Sequence, residues 1–334
     1  MSTFARNILG GGLKSDTLPA DLSFEGETVL ITGATSGLGL EATVHYLQHG
    51  ASVTITARTA AKGEQAKLDI ESRTGKLVDV MILDMDTFEG VKTFVNTFKK
   101  ENRHFDIILL NCGVQEFVWK PSPEGWFANI QVNVLSTTLL GLLLIQWMRS
   151  KPEQSHLLFV GSGSHWENDL SKWPRKDIIT FWSKEENFMS GRDAYGISKL
   201  MLHYCVNAMD KIASAGGKIS PIVNTVCPGI VQTGIARSFG GGVWGMQCVA
   251  KAYMALALKA VPADVGARSL VVAAKTTPEQ HGTFRRPYLT DDEYEKVSAP
   301  FFKTEEAKEI QAEVWKEVVE ILAAADPEVS KIVL

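Results

Sequence analysis

Tyr195 and Lys199 stand four residues apart in Tyr195-Gly196-Ile197-Ser198-Lys199. On a helix that spacing puts both side chains on one face. None of the other five tyrosines has a lysine four residues on. A free phenol titrates near 10, roughly three units too high for a base at neutral pH. A nearby ammonium stabilises the phenolate and lowers that value. The pair therefore predicts proton exchange with an alcohol or a carbonyl, with Tyr195 made more acidic by Lys199. A structural tyrosine beside a solvated lysine would share the spacing, so the companions of the pair matter.

The strongest companion is Thr32-Gly33-Ala34-Thr35-Ser36-Gly37-Leu38-Gly39. It follows the short β-branched run Thr28 to Thr32 and opens a helix pattern that ends at Gly50. A helix N-terminus offers free N–H groups and partial positive charge, which suit a pyrophosphate. Glycine lets the backbone turn sharply and approach the phosphates without a Cβ. Strand, turn and helix together predict a dinucleotide site on Gly33, Ser36, Gly37, Leu38 and Gly39. An acid at the end of the second strand would hold a ribose hydroxyl and repel a 2′-phosphate. That position is Ala57, followed by Arg58, and no carboxylate occurs from Ala51 to Gly63. Arg58 can pair bidentately with a phosphate, with Thr59 and Lys62 as helpers. The expected cofactor is NADP(H).

The spacing G-x-x-x-G-x-G differs from the G-x-G-x-x-G of many dinucleotide domains. It resembles the TGxxxGxG motif of the short-chain dehydrogenase/reductase family, and Tyr195 with Lys199 resembles that family's YxxxK. The resemblance covers about Thr28 to Ala274 and implies further roles. Asp84 resembles the aspartate that contacts adenine. Asn111 and Gly113 match part of the family's NNAG motif, although this chain has Leu110 and Cys112 at its other two positions. Pro228, Gly229 and Thr233 match the segment that meets the nicotinamide end. Lys199 would also bind the nicotinamide ribose. Ser162, in Gly161-Ser162-Gly163-Ser164, aligns with the catalytic serine that orients the substrate oxygen, and Ser164 is the runner-up. Asn133 matches the asparagine that begins a water relay to the lysine.

These residues must be positioned by alternating elements. Strand-like runs occur at Thr28 to Thr32, Ser52 to Ala57, Val78 to Leu83, Phe105 to Leu110, His156 to Val160 and Ile222 to Val226. Helix patterns lie between them. Apolar strands alternating with helices predict an α/β fold: a doubly wound, Rossmann-type, mostly parallel sheet with helices on both faces. The expected layout is a single domain over 1–334. Its core spans about 25–285, with an insert at 163–190 and a C-terminal helical extension at about 286–334 that packs on the outside. Tyr195 follows Ser162 by 33 residues, and the insert carries Trp166, Trp173, Phe181, Trp182 and Phe188. It resembles the longer insert of retinol-dehydrogenase-like and fungal secondary-metabolism members. Aromatics at that density suit an apolar wall around a bulky substrate, or a lid packed on its own core. Gly240 to Gly245, with Trp244, could close as a lid.

Hydrophobic residues make up 45% of the chain, too many for a disordered protein. A net charge of −4 offers no nucleic-acid footprint. The four cysteines form no CxxC pair, and the histidines show no metal-ligand spacing. Neither a metal nor a disulfide framework is expected, and a cytoplasmic setting follows. The first 24 residues hold no signal-like apolar stretch. Leu139 to Met148 is half the ~20 residues of a membrane span, so a buried helix is expected there. Family analogy implies a homodimer or homotetramer through Leu139–Met148 and Tyr195–Met209. The expected activity is interconversion of a carbonyl and a secondary alcohol on a bulky apolar small molecule, such as a terpenoid, steroid-like or polyketide compound. Reduction of an activated C=C bond, or a non-catalytic dinucleotide-sensing module, are the alternatives.

Overall fold

The computed structural model describes residues 15–150, 153–217, 219–232, 234–236 and 260–333. Thr233 and the glycine-rich segment around Trp244 lie outside the described residues. The six strand-like runs form β1 (Thr28–Ile31), β2 (Ser52–Ala57), β3 (Asp79–Ile82), β4 (Ile107–Leu110), β5 (His156–Val160) and β6 (Ile222–Val226). A two-residue β7 (Phe284–Arg285), too short to show a period, was not anticipated. All pair in parallel, in the order β3-β2-β1-β4-β5-β6-β7. β4 and β6 are buried along their whole length, which is why they read as unbroken apolar runs.

One face of the sheet carries α1 (Gly37–Gln48), α2 (Ala60–Thr74) and α7 (Ala263–Val272). The other carries α3 (Phe88–Lys100), α4 (Ala128–Arg149) and α6 (Gly191–Ala213). Strand order reverses between β1 and β4. A crevice opens beyond the carboxyl ends of strands at such a switch point. Thr32 N–H donates to Leu109 O (3.0 Å), so the glycine loop and the segment after β4 leave the sheet side by side.

α4 is long and apolar enough to cross a membrane, but 94% of its most apolar window is buried inside the protein. It is a core helix, and it contains a π-helical stretch, Gln131–Ser136.

The C-terminal extension departs from the expectation. α8 (Asp291–Phe302), α9 (Glu305–Ala325) and α10 (Glu328–Val333) do not simply lie outside. Ile310, Val314, Val318 and Leu322 of α9 are almost fully buried in the same core as α4 and α6. α9 packs on α6, and α10 packs on α4. α9 and α10 thus cover part of the two helices expected to join two chains.

The insert docks on this extension. Its helix α5 (Ile178–Ser183) buries Ile178 and Ile179 completely, against α9. Trp173 and Trp182 meet edge to face at 5.6 Å and are also buried. Most insert aromatics therefore pack rather than form an open wall. Asp177, before α5, has a left-handed backbone (φ 55°) and makes no capping bond of its own. Glu317 of α9 supplies the cap, accepting from Ile178 N–H and Ile179 N–H at 2.9 Å each. Losing such a cap costs about 1 kcal/mol. Glu317→Ala should lower the melting temperature, with Glu317→Gln intermediate. Equal melting of all three proteins would show that the cap contributes nothing.

Candidate active site

The crevice at the switch point is an open cleft of about 1010 Å³, solvent included. Gly33, Ser36, Gly37 and Leu38 line it from one side, Asn111 and Gly113 from the other. Asn111 is a staple: its Nδ2 donates to Thr32 O (2.9 Å) and Gly33 O (3.1 Å). Cys112 N–H donates to Thr32 Oγ1 (3.0 Å). This close approach demands small residues. A Cβ on Gly33 (φ +64°) would sit 2.8 Å from Cys112 Cα, and one on Gly39 would sit 2.5 Å from Asn111 Nδ2. Gly39 therefore lies behind the cradle. Ser36 makes no side-chain capping bond at the start of α1, whose first turn holds no acid. The helix N-terminus is left open to an anion. These residues fit a pyrophosphate.

Arg58 and Lys62 line the far corner of the cleft. The structure places Asp84 elsewhere, on a neighbouring depression. Its Oδ1 accepts the N–H of Asp86 (3.0 Å). Asp86, missed from the sequence, lines the cleft and forms an ion pair with Arg58.

Beyond Gly113 lies a second cluster. A Cβ on Gly113 would be 3.2 Å from Asn133 Oδ1 and 3.7 Å from Lys199 Nζ, so this glycine joins the cleft to the amine. Asn133 sits in the π turn, almost fully buried. Its Oδ1 accepts from Val114 N–H (2.9 Å), and its Nδ2 donates to Val114 O (2.8 Å) and Ser198 Oγ (3.0 Å). Lys199 Nζ donates to Val160 O (2.8 Å) and lies 5.6 Å from the centre of the Tyr195 ring. The Ser162 hydroxyl lies close enough to the Tyr195 phenol to pull its titration downward. Ser164 Oγ donates to Ser162 Oγ (2.9 Å), so the two serines act together rather than as rivals.

The electrostatics contradict one expectation. Tyr195 is pushed above its ordinary value, first by burial and then by the nearby Cys227, against a downward pull from Ser162. Burial also lowers Lys199 to about 8. Desolvation disfavours both charged forms.

Cys227, before Pro228 and Gly229, is another group the sequence did not single out. Its buried Sγ accepts from Gly163 N–H (3.2 Å) and from Tyr288 Oη (3.1 Å). Pro228 and Gly229 do not line the glycine cleft. Gly229 (φ +82°) instead faces the Tyr288 ring. His165 donates from Nδ1 to Ser162 O (2.6 Å) and stacks on His203 at 4.6 Å. Burial holds both imidazoles low, His203 at about 4. No group of three or more His, Cys, Asp or Glu that could hold a metal occurs among the described residues.

A sequence model of the family described as short chain dehydrogenase matches residues 27–168. A short-chain dehydrogenase/reductase of Aspergillus flavipes is 31% identical over 94% of this chain and 92% of its own length. The chain belongs to the short-chain dehydrogenase/reductase family. A second member, from Phaeosphaeria nodorum, is 32% identical over 93% of this chain and 90% of its own. Among solved structures, an uncharacterised protein of Mycobacterium paratuberculosis superposes with a TM-score of 0.63 at 21% identity. That match covers 91% of this chain and 96% of the other. L-Sorbose reductase of Gluconobacter frateurii, solved with NADPH and L-sorbose, gives 0.58 at 18% identity, over 80% and 96%. These two likenesses establish the fold.

A lysine held near 8 when folded but near 10.5 when unfolded binds fewer protons in the native state between those values. Stability then rises with pH across that window, and the penalty is constant below it. Lys199→Met removes this dependence. Its stability relative to the wild type should fall as pH rises from 8 to 10.5. Parallel melting curves across that range would contradict an amine desolvated by burial.

Proposed function

We propose that the chain is an NADP(H)-dependent oxidoreductase that interconverts a carbonyl and a secondary alcohol on a bulky apolar small molecule. The observation that carries this reading is the junction at Gly113. There the glycine cleft meets the amine of Lys199, whose helix also presents Tyr195 to Ser162. Gly33, Ser36, Gly37 and Leu38 would hold the pyrophosphate, with Arg58 and Lys62 at the 2′-phosphate. When bound, the nicotinamide supplies or accepts the hydride.

The chain's own residues handle the oxygen and its proton. Ser162 Oγ accepts from Ser164 N–H and Oγ, so its one proton points to the Tyr195 phenol or, once substrate binds, to the substrate oxygen. Burial keeps the Tyr195 phenol protonated at neutral pH, the form that can give a proton to an oxygen gaining charge. Lys199, still largely an ammonium at pH 7, lies over the same ring and favours the phenolate that such a transfer leaves. A side cleft next to Ser164, lined by Trp173, Trp182 and Met189 together with Glu167, Asp169, Lys172, Arg192 and Asp193, leaves room for a bulky substrate beside the serine. Free thiols at Cys205 and Cys227 suit a reducing cytoplasm.

NADPH absorbance followed against ketones of increasing bulk tests the reading. Turnover should appear with the larger ketones. Tyr195→Phe should lower it about 10²- to 10⁴-fold while NADPH still binds. Consumption only with conjugated C=C substrates would favour that alternative, and Tyr195→Phe at wild-type rate would remove the phenol from the mechanism.

A further inference from the structure

Among the described residues lining the glycine cleft, Asp86 is the only acid. Its position is built in. Ala57 and Ile82 are paired across β2 and β3, and Leu83 N–H donates to Ala57 O (2.9 Å). The two strand ends therefore emerge side by side, bringing Arg58 next to the turn after β3. That turn is fixed at both ends: Asp84 Oδ1 holds the Asp86 amide, and Thr87 Oγ1 caps α3 through Gly90 N–H (3.0 Å). From there the Asp86 carboxylate reaches the Arg58 guanidinium, and both side chains keep solvent access, 34% and 47% exposed.

We propose that Asp86 is a specificity-determining residue that competes with the dinucleotide 2′-phosphate for Arg58. This rests on the reading above, in which Arg58 receives that phosphate. A dinucleotide without the phosphate can bind and leave the pair intact. One with the phosphate must take the guanidinium from Asp86, or share it while placing two anions around one cation. Asp86 thereby restrains the preference for the phosphorylated cofactor. Arg58 is held ready by one acid and recruited by another.

Fluorescence titration with NADPH and NADH tests this on the wild type, Asp86→Asn, Arg58→Ala and the double variant, at low and high salt. An exposed pair of this kind should be worth about fivefold in affinity. Asp86→Asn should tighten NADPH by that factor and leave NADH unchanged. The gain should vanish in the Arg58→Ala background, and it should shrink in about 1 M salt, where the screening length falls to ~3 Å. A gain that survives intact without Arg58 would mean simple repulsion and overturn the competition. Weaker NADPH binding by Asp86→Asn would show that the acid orients Arg58 instead, and would also overturn it. If Arg58→Ala alone leaves NADPH affinity unchanged, the phosphate assignment itself fails, a result separable from the other two. Melting curves of the exposed variants confirm that all are folded.

Discussion

Asn133 commits its whole amide to two segments that carry the site. Its bonds to both backbone groups of Val114 fasten the loop that bears Asn111 and Gly113. Its bond to Ser198 fastens the helix that presents Tyr195 and Lys199. A buried amide is costly unless its groups are satisfied, so the loop, helix α4 and helix α6 are locked in one relation. The π turn around Asn133 belongs to this arrangement. Thr137 donates to Val132 O at 2.7 Å, five residues back, which fits the wider winding that often marks functional positions. Its three bonds to Val114 and Ser198 account for its burial.

Burial is also the common cause behind the two shifted groups. Lys199 moves down and Tyr195 moves up, and both shifts favour the uncharged form. The expectation from spacing considered only the attraction between amine and phenolate. The surroundings add desolvation, and Cys227 and Ser162 act on the phenol besides. A four-residue spacing shows which groups meet. It says little about how dry their meeting place is.

That distinction runs through the whole molecule. The glycine loop, the six longer strands and the Tyr195–Lys199 pair were legible because each is written in contiguous residues with a recognisable period. Ser162 came from its resemblance to the family's serine at the end of β5, and the structure sets Ser164 against it. Asp86 was not, because its importance comes from the pairing of β2 with β3, which places it beside a residue 28 positions earlier. Cys227 and Tyr288 meet across 61 residues, with no local signal linking them. The insert showed its aromatic content but not its partner: the apolar stripe of α9 that receives it is periodic, and periodicity reveals a buried face without naming what covers it. The extension was misplaced for the same reason.

The position of that stripe also bears on how the protein is made. Val314, Val318 and Leu322 fill space against α4 and α6, elements synthesised more than a hundred residues earlier. At about 5–20 residues per second, several seconds of translation separate these partners. The face that carries α1 and α2 likewise waits for α7, whose Ala267, Leu270 and Val271 complete its core. The opposite face stays open until α9 arrives. A nascent chain therefore carries an exposed oily groove until α9 has been made, making shielding by chaperones most valuable in that interval.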